Sequence, residues 1–199
     1  MSNYPTGTAA NVLVGPARLL VSPKGTTLPT LDGTVNPITW PAGWVEVGYT
    51  EAGTDMTYTP TIKDIMVDEE MAPVQKILDK EKATVTAVLA EATLANLNRA
   101  ISASIMTQSA ADVTHAQLAT VEVGSGALNE VQIGFEGINP QTFQRIMIGY
   151  RAIAQATVKL TFKRADKTMM QVDFDLLADS TKTAGKRLFK ILDVVAPHS

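Results

Sequence analysis

Two histidines, His115 and His198, are the chain's whole supply of imidazole, and cysteine is absent from its 199 residues. Lack of thiols excludes disulfides, thiolate metal ligands, iron–sulfur clusters and cysteine nucleophiles together. A histidine-rich metal site is excluded too, and any Ser–His pair would have to rest on His115. Gly124-Ser125-Gly126 looks superficially like a nucleophile elbow, but the Gly-x-Ser-x-Gly pattern is missing, and a turn between two strands accounts for it better. The same residues begin a Gly-x-Gly, yet Asn129 stands where a dinucleotide loop needs its third glycine, and no Walker loop occurs. Asp68-Glu69-Glu70 lacks the spacing and the glycine of a calcium loop and reads as a solvated acidic loop. No carboxylate pair is singled out for acid–base work. The expectation is therefore no catalytic residue, no metal, no cofactor and no enzyme.

The elements that would position any site are mostly strands. Val, Ile and Thr recur between turn residues. Residues 11–21 read as a strand interrupted at Gly15-Pro16, where proline implies an edge or a bulge. Residues 22–43 form a long Pro/Gly-rich loop with Trp40 inside it and Trp44 at its end; such loops are uncommon in compact domains. It is expected to be mobile in a free subunit and ordered by a neighbour. Residues 44–49 form a short strand. In 54–67, Met56, Tyr58, Pro60 and Ile62 alternate with Asp55, Thr57, Thr59, Thr61 and Lys63, and a phase slip predicts a bulge near Lys63-Asp64. Residues 68–82 read as a charged loop, with a helical turn near Val74–Leu78.

Val85, Ala87 and Leu89 share one face of a strand over 83–90. Thr93 then caps a helix expected over 93–106, with Leu94, Leu97, Ile101 and Ile105 on one stripe. Its outer face is uncharged except for Arg99, which suits a second covering surface. A loop at 107–118 leads to strands near 119–123, 130–136 and 143–152. A hairpin follows, in which Ala156, Val158, Leu160 and Phe162 face Met170, Val172, Phe174 and Leu176, with Phe162 opposite Met170 and Lys159 opposite Asp173. A last strand covers 187–195. The fold class is mainly β: a two-sheet sandwich or partial barrel with one flanking helix, one domain over 1–199.

Apolar residues make up 45% of the chain and charged ones 19%, which is a globular composition. The N-terminal residues lack the basic and apolar regions of a signal peptide, and no apolar run approaches a bilayer span. A soluble protein made in the cytoplasm, with no membrane insertion, is expected. A net charge of −3 argues against a dedicated basic DNA binder. The charge is uneven: residues 1–45 carry +1, residues 46–91 carry −6, residues 92–140 carry −3 and residues 141–199 carry +5. This is either scatter over a surface or a sign that copies pack unlike faces together.

The stretch Gly43-Trp44-Val45-Glu46-Val47-Gly48-Tyr49-Thr50-Glu51-Ala52-Gly53, the strand through Tyr58, Val67-Asp68-Glu69 with Pro73-Val74, and Glu91-Ala92-Thr93-Leu94-Ala95-Asn96-Leu97 resemble the major tail tube protein of long-tailed, siphovirus-type bacteriophages. The resemblance covers most of residues 11–106 by motif and the rest by strand pattern alone. It implies hexameric rings, inner sheets closed into a continuous barrel, and rings stacked head to tail into a hollow tube that passes the genome. It implies a virion tail location after assembly in the host cytoplasm. Its implied partners are further copies of the chain and tape-measure, tail-terminator and baseplate or tip proteins, with viral DNA only in transit. Trp40, Trp44, Tyr49, Leu94, Leu97, Arg99 and Ile101 are the candidate interface residues, and Glu46, Asp55 and Asp64 the candidate lumen residues. Two other classes stay open: another virion β-protein, such as a tail terminator or head decoration protein, and a lectin-like sandwich with Trp40 and Trp44 as sugar platforms.

Overall fold

The computed structural model describes residues 17–31, 38–124, 126–138, 144–155, 158 and 169–194. Among the described residues the order is β1 (Arg18–Pro23), β2 (Val45–Glu46), β3 (Thr50–Ile65), β4 (Gln75–Leu89), α1 (Leu94–Ala100), β5 (Ser104–Gln108), β6 (Ala119–Val123), β7 (Val131–Ile138), β8 (Gln144–Ala154), β9 (Met170–Leu176) and β10 (Phe189–Asp193). The fold is mainly β with one helix and two sheets. The large sheet runs β2-β1-β7-β8-β9-β4-β3 without closing into a barrel, and β10 joins it at β8. The small sheet is the ribbon β5–β6.

β8 joins the two halves of the large sheet. Its residues 144–152 pair with β7 along one edge. Along the other edge, Arg145 to Gly149 pair with β10 and Ala152 to Ala154 with β9. Opposite Val131–Ile133 the register shifts, leaving an extra residue on β8 between Gly149 and Ala152. Such a bulge reverses which face the next side chains point to. Ile146, Ile148 and Tyr150 therefore enter one core, while Met147, Ala152 and Ala154 enter another. This strand is buried on both faces, which is why it reads as a nearly unbroken apolar run.

The main core lies between Leu19, Val21, Ile133 and Met147 on one side and Val85, Ala87, Leu89, Met170, Val172, Phe174 and Leu176 on the other. Fully burying a side chain of this size stabilises by about 1.5–3 kcal/mol. The alternation expected at Val85, Ala87 and Leu89, and at Met170 through Leu176, is present. In the second core, Leu28, Leu31, Ile38, Trp40 and Trp44 pack on Leu20, Ile146, Ile148 and Tyr150. The apolar side chains of the described part of the long loop thus pack on the chain's own sheet. The loop gives no periodic signal because its apolar side chains come from irregular backbone.

Five expectations are corrected. Residues 75–82 are not a loop with a helical turn but the first half of β4, paired with β3. Both faces there are exposed, so no one-sided alternation marks the strand. The bulge lies opposite Thr61–Ile62, where Asp79 of β4 is the extra residue, so β3 keeps its phase through Lys63-Asp64. The helix ends at Ala100: Thr93 caps it, accepting a hydrogen bond from the Asn96 N–H, but Ile101 is already extended and Ile105 lies exposed in β5. Next, β6 pairs with β5, and β7 with β1 and β8, so β6 and β7 are not partners in a hairpin. The register expected for the last hairpin is also corrected: Asp173 is not opposite Lys159, because the Gln155 N–H donates to the Asp173 carbonyl at 2.8 Å, four residues away from the expected register. Phe162, the interruption at Gly15-Pro16 and His198 lie outside the described residues. Within them, Phe174 has Ala154 as its partner across the strands.

Candidate functional site

The clusters that could do chemistry are satisfied structurally. His115 sits on an exposed turn, and the same Nδ1 lies 2.8 Å from Thr114 Oγ1 and 3.1 Å from Asp112 Oδ1. A relay needs one ring nitrogen on the carboxylate and the other on the nucleophile, so this is a local turn network. Hydrogen bonds from the Thr114 amide and hydroxyl and from His115 hold the Asp112 carboxyl at about 2. Glu130 accepts from Arg151 Nε at 2.9 Å and Nη2 at 2.7 Å and meets Lys24 at 2.7 Å. These bonds, the Arg151 pair foremost, hold its carboxyl at about 2.

Glu136 is 6% exposed and accepts from Trp40 Nε1 at 2.7 Å, from Gln144 Nε2 at 2.7 Å and from Arg18 Nη2. Burial alone would raise its carboxyl, but the donors from Trp40 and Arg18 outweigh burial and hold it below the usual range. Trp44, 8% exposed, donates from Nε1 to the Thr27 carbonyl and sits tilted against Trp40, ring centres 4.8 Å apart. These rings are spent on the chain's own second core, which leaves no exposed pair of ring faces for a sugar.

The exposed apolar surface lies elsewhere. Beyond Thr57, β3 and β4 continue as a two-stranded arm with every residue from Tyr58 to Asp64 and from Gln75 to Lys82 exposed. Eight residue steps from Thr57 to Ile65 make it roughly 27 Å long at the usual strand rise. Tyr58, Ile62, Leu78, Ile77, Met66 and Met71 are all exposed along it. A two-stranded hairpin is marginally stable in water by itself, and this one is braced at its base by Tyr58, edge-on to Phe189 with ring centres 6.1 Å apart. β3 ends the sheet, which explains how Pro60 is tolerated in mid-strand.

At the base of the arm, the back of the sheet is polar. The pairs Asp55–Thr86, Thr57–Thr84, Thr86–Asp173 and Thr84–Asp175 put Asp55, Asp173, Asp175 and three threonines on one face, opposite the buried face of Val85 and Phe174. Lys82 shares this face and pairs with Asp175 at 3.1 Å. Asp55 is thus in acidic company, whereas Asp64 stands on the other face and pairs with Lys76 at 2.7 Å. Glu46 pairs with Arg18 at 3.3 Å. Asp173 and Asp175 were missed as candidates because they lie in the basic third of the chain. Their alternation with Val172 and Phe174 was visible, but the three-strand register that joins them to Asp55 was not.

A groove of about 890 Å³ is lined by Val45, Arg99, Ile105, Met106 and Leu128, among others. The Arg99 guanidinium is half-buried there; it donates to Asn96 Oδ1 at 2.7 Å, and burial pulls its pKa below the ordinary value. Asn96 is itself buried and donates to the carbonyls of Val47 and Glu91, tying the helix to the segments that follow β2 and β4. Of the remaining interface candidates, Tyr49 is 81% exposed, Leu97 packs against the main core, and Leu94 and Ile101 are partly buried. No helix among the described residues is long and apolar enough to cross a membrane.

A comparison with curated proteins finds no match. A family model described as phage tail tube protein matches residues 6–192, nearly the whole chain, including both faces of the arm, the polar back face and the groove. The mainly β fold with one short helix and two sheets accords with that match, and the chain belongs to the phage tail tube protein family.

Proposed function

We propose that six copies of this chain close into a ring, that rings stack head to tail, and that the resulting tube conducts viral DNA from the virion into the host. Family membership implies a structural role in the virion tail and assembly with itself and other tail proteins. The finer reading rests on the β3–β4 arm, whose side chains from Tyr58 to Asp64 and from Gln75 to Lys82 are exposed on both faces, with Tyr58 edge-on to Phe189 at its base. A large exposed apolar surface on a soluble chain marks an interaction site, and a two-sided arm fits a neighbour on each side. Tape-measure, terminator and baseplate or tip proteins are the partners at the ends and interior of such a tube.

The polar back face of β3, β4 and β9 supplies the channel wall in this reading. Each cation that pairs with a phosphate adds salt-sensitive affinity, so a conduit works best when lined by neutral and acidic groups. Asp55, Asp173, Asp175 and the intervening threonines meet that need, with Lys82 neutralised by Asp175.

Negative-stain electron microscopy of the purified chain tests the proposal. Hollow tubes or stacked six-fold rings are expected. Single rings that never stack would favour a terminator, and binding only to capsids a decoration protein. A stable monomer that binds glycans would favour a lectin.

A further inference from the structure

We infer that the tip of the β3–β4 arm of one copy seats in the groove lined by Val45, Arg99, Ile105, Met106 and Leu128 of a second copy, with the Arg99 guanidinium pairing with a tip carboxylate. The inference rests on the assembly proposed above and names the contact that carries it. Two surfaces of the same chain complement each other in both polarity and charge. The tip, Met66 to Val74, is exposed throughout and combines Met66, Met71 and Val74 with Asp68, Glu69 and Glu70. No cation pairs with these three carboxylates among the described residues. The groove offers the converse: Val45, Ile105 and Leu128 exposed along its wall, a Lys24–Glu130 ion pair already matched, and a half-buried guanidinium whose side-chain partner among the described residues is the Asn96 amide.

Lining by flexible methionines on both sides, Met106 in the groove and Met66 and Met71 on the tip, suits a contact that must adapt in shape. A guanidinium removed from water gains most from a bidentate carboxylate. The basic loop at Lys182, Lys186 and Arg187 is the competing docking surface, but Lys182 already lies over the Tyr150 ring and Arg187 donates to the Lys182 carbonyl. Tip and groove are different surfaces, so each copy that receives a tip still presents its own. The contact is heterologous and propagates openly.

The chain has no cysteine, so an introduced pair reports only on designed proximity. The full-length double variant Met71→Cys/Ile105→Cys, assembled and then oxidised, is expected to give a ladder of multimers on a non-reducing gel. Either single variant should give no species beyond a dimer. If wild-type chains form tubes but the ladder is absent, or comes instead from Met71→Cys/Thr183→Cys, the inference is overturned while the tube proposal stands. A crosslink from the Met71→Cys chain to a different tail protein on co-expression overturns it as well. Wild-type chains that never assemble remove both proposals. Arg99→Gln should raise the concentration needed for assembly at least about tenfold, as expected for losing one charge-assisted bond. Arg99→Glu combined with Glu69→Arg should recover assembly that Arg99→Glu alone abolishes. Unaltered thermal melts of each variant separate a lost contact from a lost fold, and Arg99→Glu recovery that fails despite normal melts counts against the pair.

Discussion

The indole N–H of Trp40 donates to Glu136 Oε2 at 2.7 Å, joining an irregular loop to strand β7 across 96 residues of chain. Arg18 and Gln144 donate to the same carboxylate, so one buried acid holds two strands and the loop that covers the second core. A buried carboxylate with three donors is stabilising only while it is ionised and all its partners are present.

Glu136→Gln should therefore lower stability by about 1–3 kcal/mol at neutral pH, the cost of leaving a buried donor unpaired, and chemical denaturation followed by tryptophan fluorescence measures it. The folded carboxyl lies below its ordinary value of 4.5. Its contribution is complete well above that value and is lost as pH falls through the folded pKa. The stability gap between wild type and Glu136→Gln should narrow steadily below about pH 4.5; a constant gap would show that the charge is not what matters.

Gly134 lies on β7 directly beneath the two tryptophans. A Cβ at this position would fall against the Trp40 ring and 2.9 Å from Trp44 Cζ3. Both rings are held by their indole hydrogen bonds, so neither yields cheaply. Gly134→Ala is expected to destabilise by about 1–3 kcal/mol and to red-shift tryptophan emission as the loop lifts. An unchanged spectrum and melt would mean that the loop is looser than its hydrogen bonds indicate.

Ile62 and Leu78 are paired across the arm and both exposed. Replacing both with Thr should change subunit stability by no more than about 0.5 kcal/mol, the usual range for surface sites. Tube formation should nevertheless fail. Circular dichroism melts and electron microscopy of the same sample check the two halves, and normal tubes would exclude this part of the arm from the interface.

Asp55 and Asp173 both oppose Thr86 on the polar back face. The double variant Asp55→Lys/Asp173→Lys should still assemble, since these residues lie away from the arm tip and the groove. Its tubes should retain DNA at low ionic strength and release it as salt rises, with a slope of about 0.9 per phosphate contact. Tubes that ignore DNA at every salt concentration would place this face on the outside.

The legible parts of this fold are those buried on one side only. β9 announced itself by Met170, Val172, Phe174 and Leu176 alternating with Gln171, Asp173 and Asp175, and the Thr93 cap marked where α1 begins. Residues 75–82 carry no such mark, because neither face of the arm meets a core. The helix was drawn too long because Ile101 and Ile105 continue a helical spacing by coincidence, while Ser104 ends the run by bonding the Asn98 and Ile101 carbonyls. The sequence offers the tryptophans as interface anchors, because a Pro/Gly-rich loop carries no periodic signal that it folds back on its own sheet. Of the surfaces proposed above for assembly and for the channel, residue type and position single out Arg99 and Asp55 as candidates. The polar face and the groove depend on registers and loop paths that join residues far apart in sequence.

The shared strand β8 also gives the subunit a mechanical character. A pull entering through the arm passes from β3 to β4, then through β9 into β8, and leaves by β7 to β1 or by β10. Every step of that route is a backbone ladder rather than a contact between side chains. Load along the strands is borne by hydrogen bonds in shear, and among the described residues the shortest ladder on the route is the one between β8 and β9, from Ala152 to Ala154, so that is where the tie is set to yield.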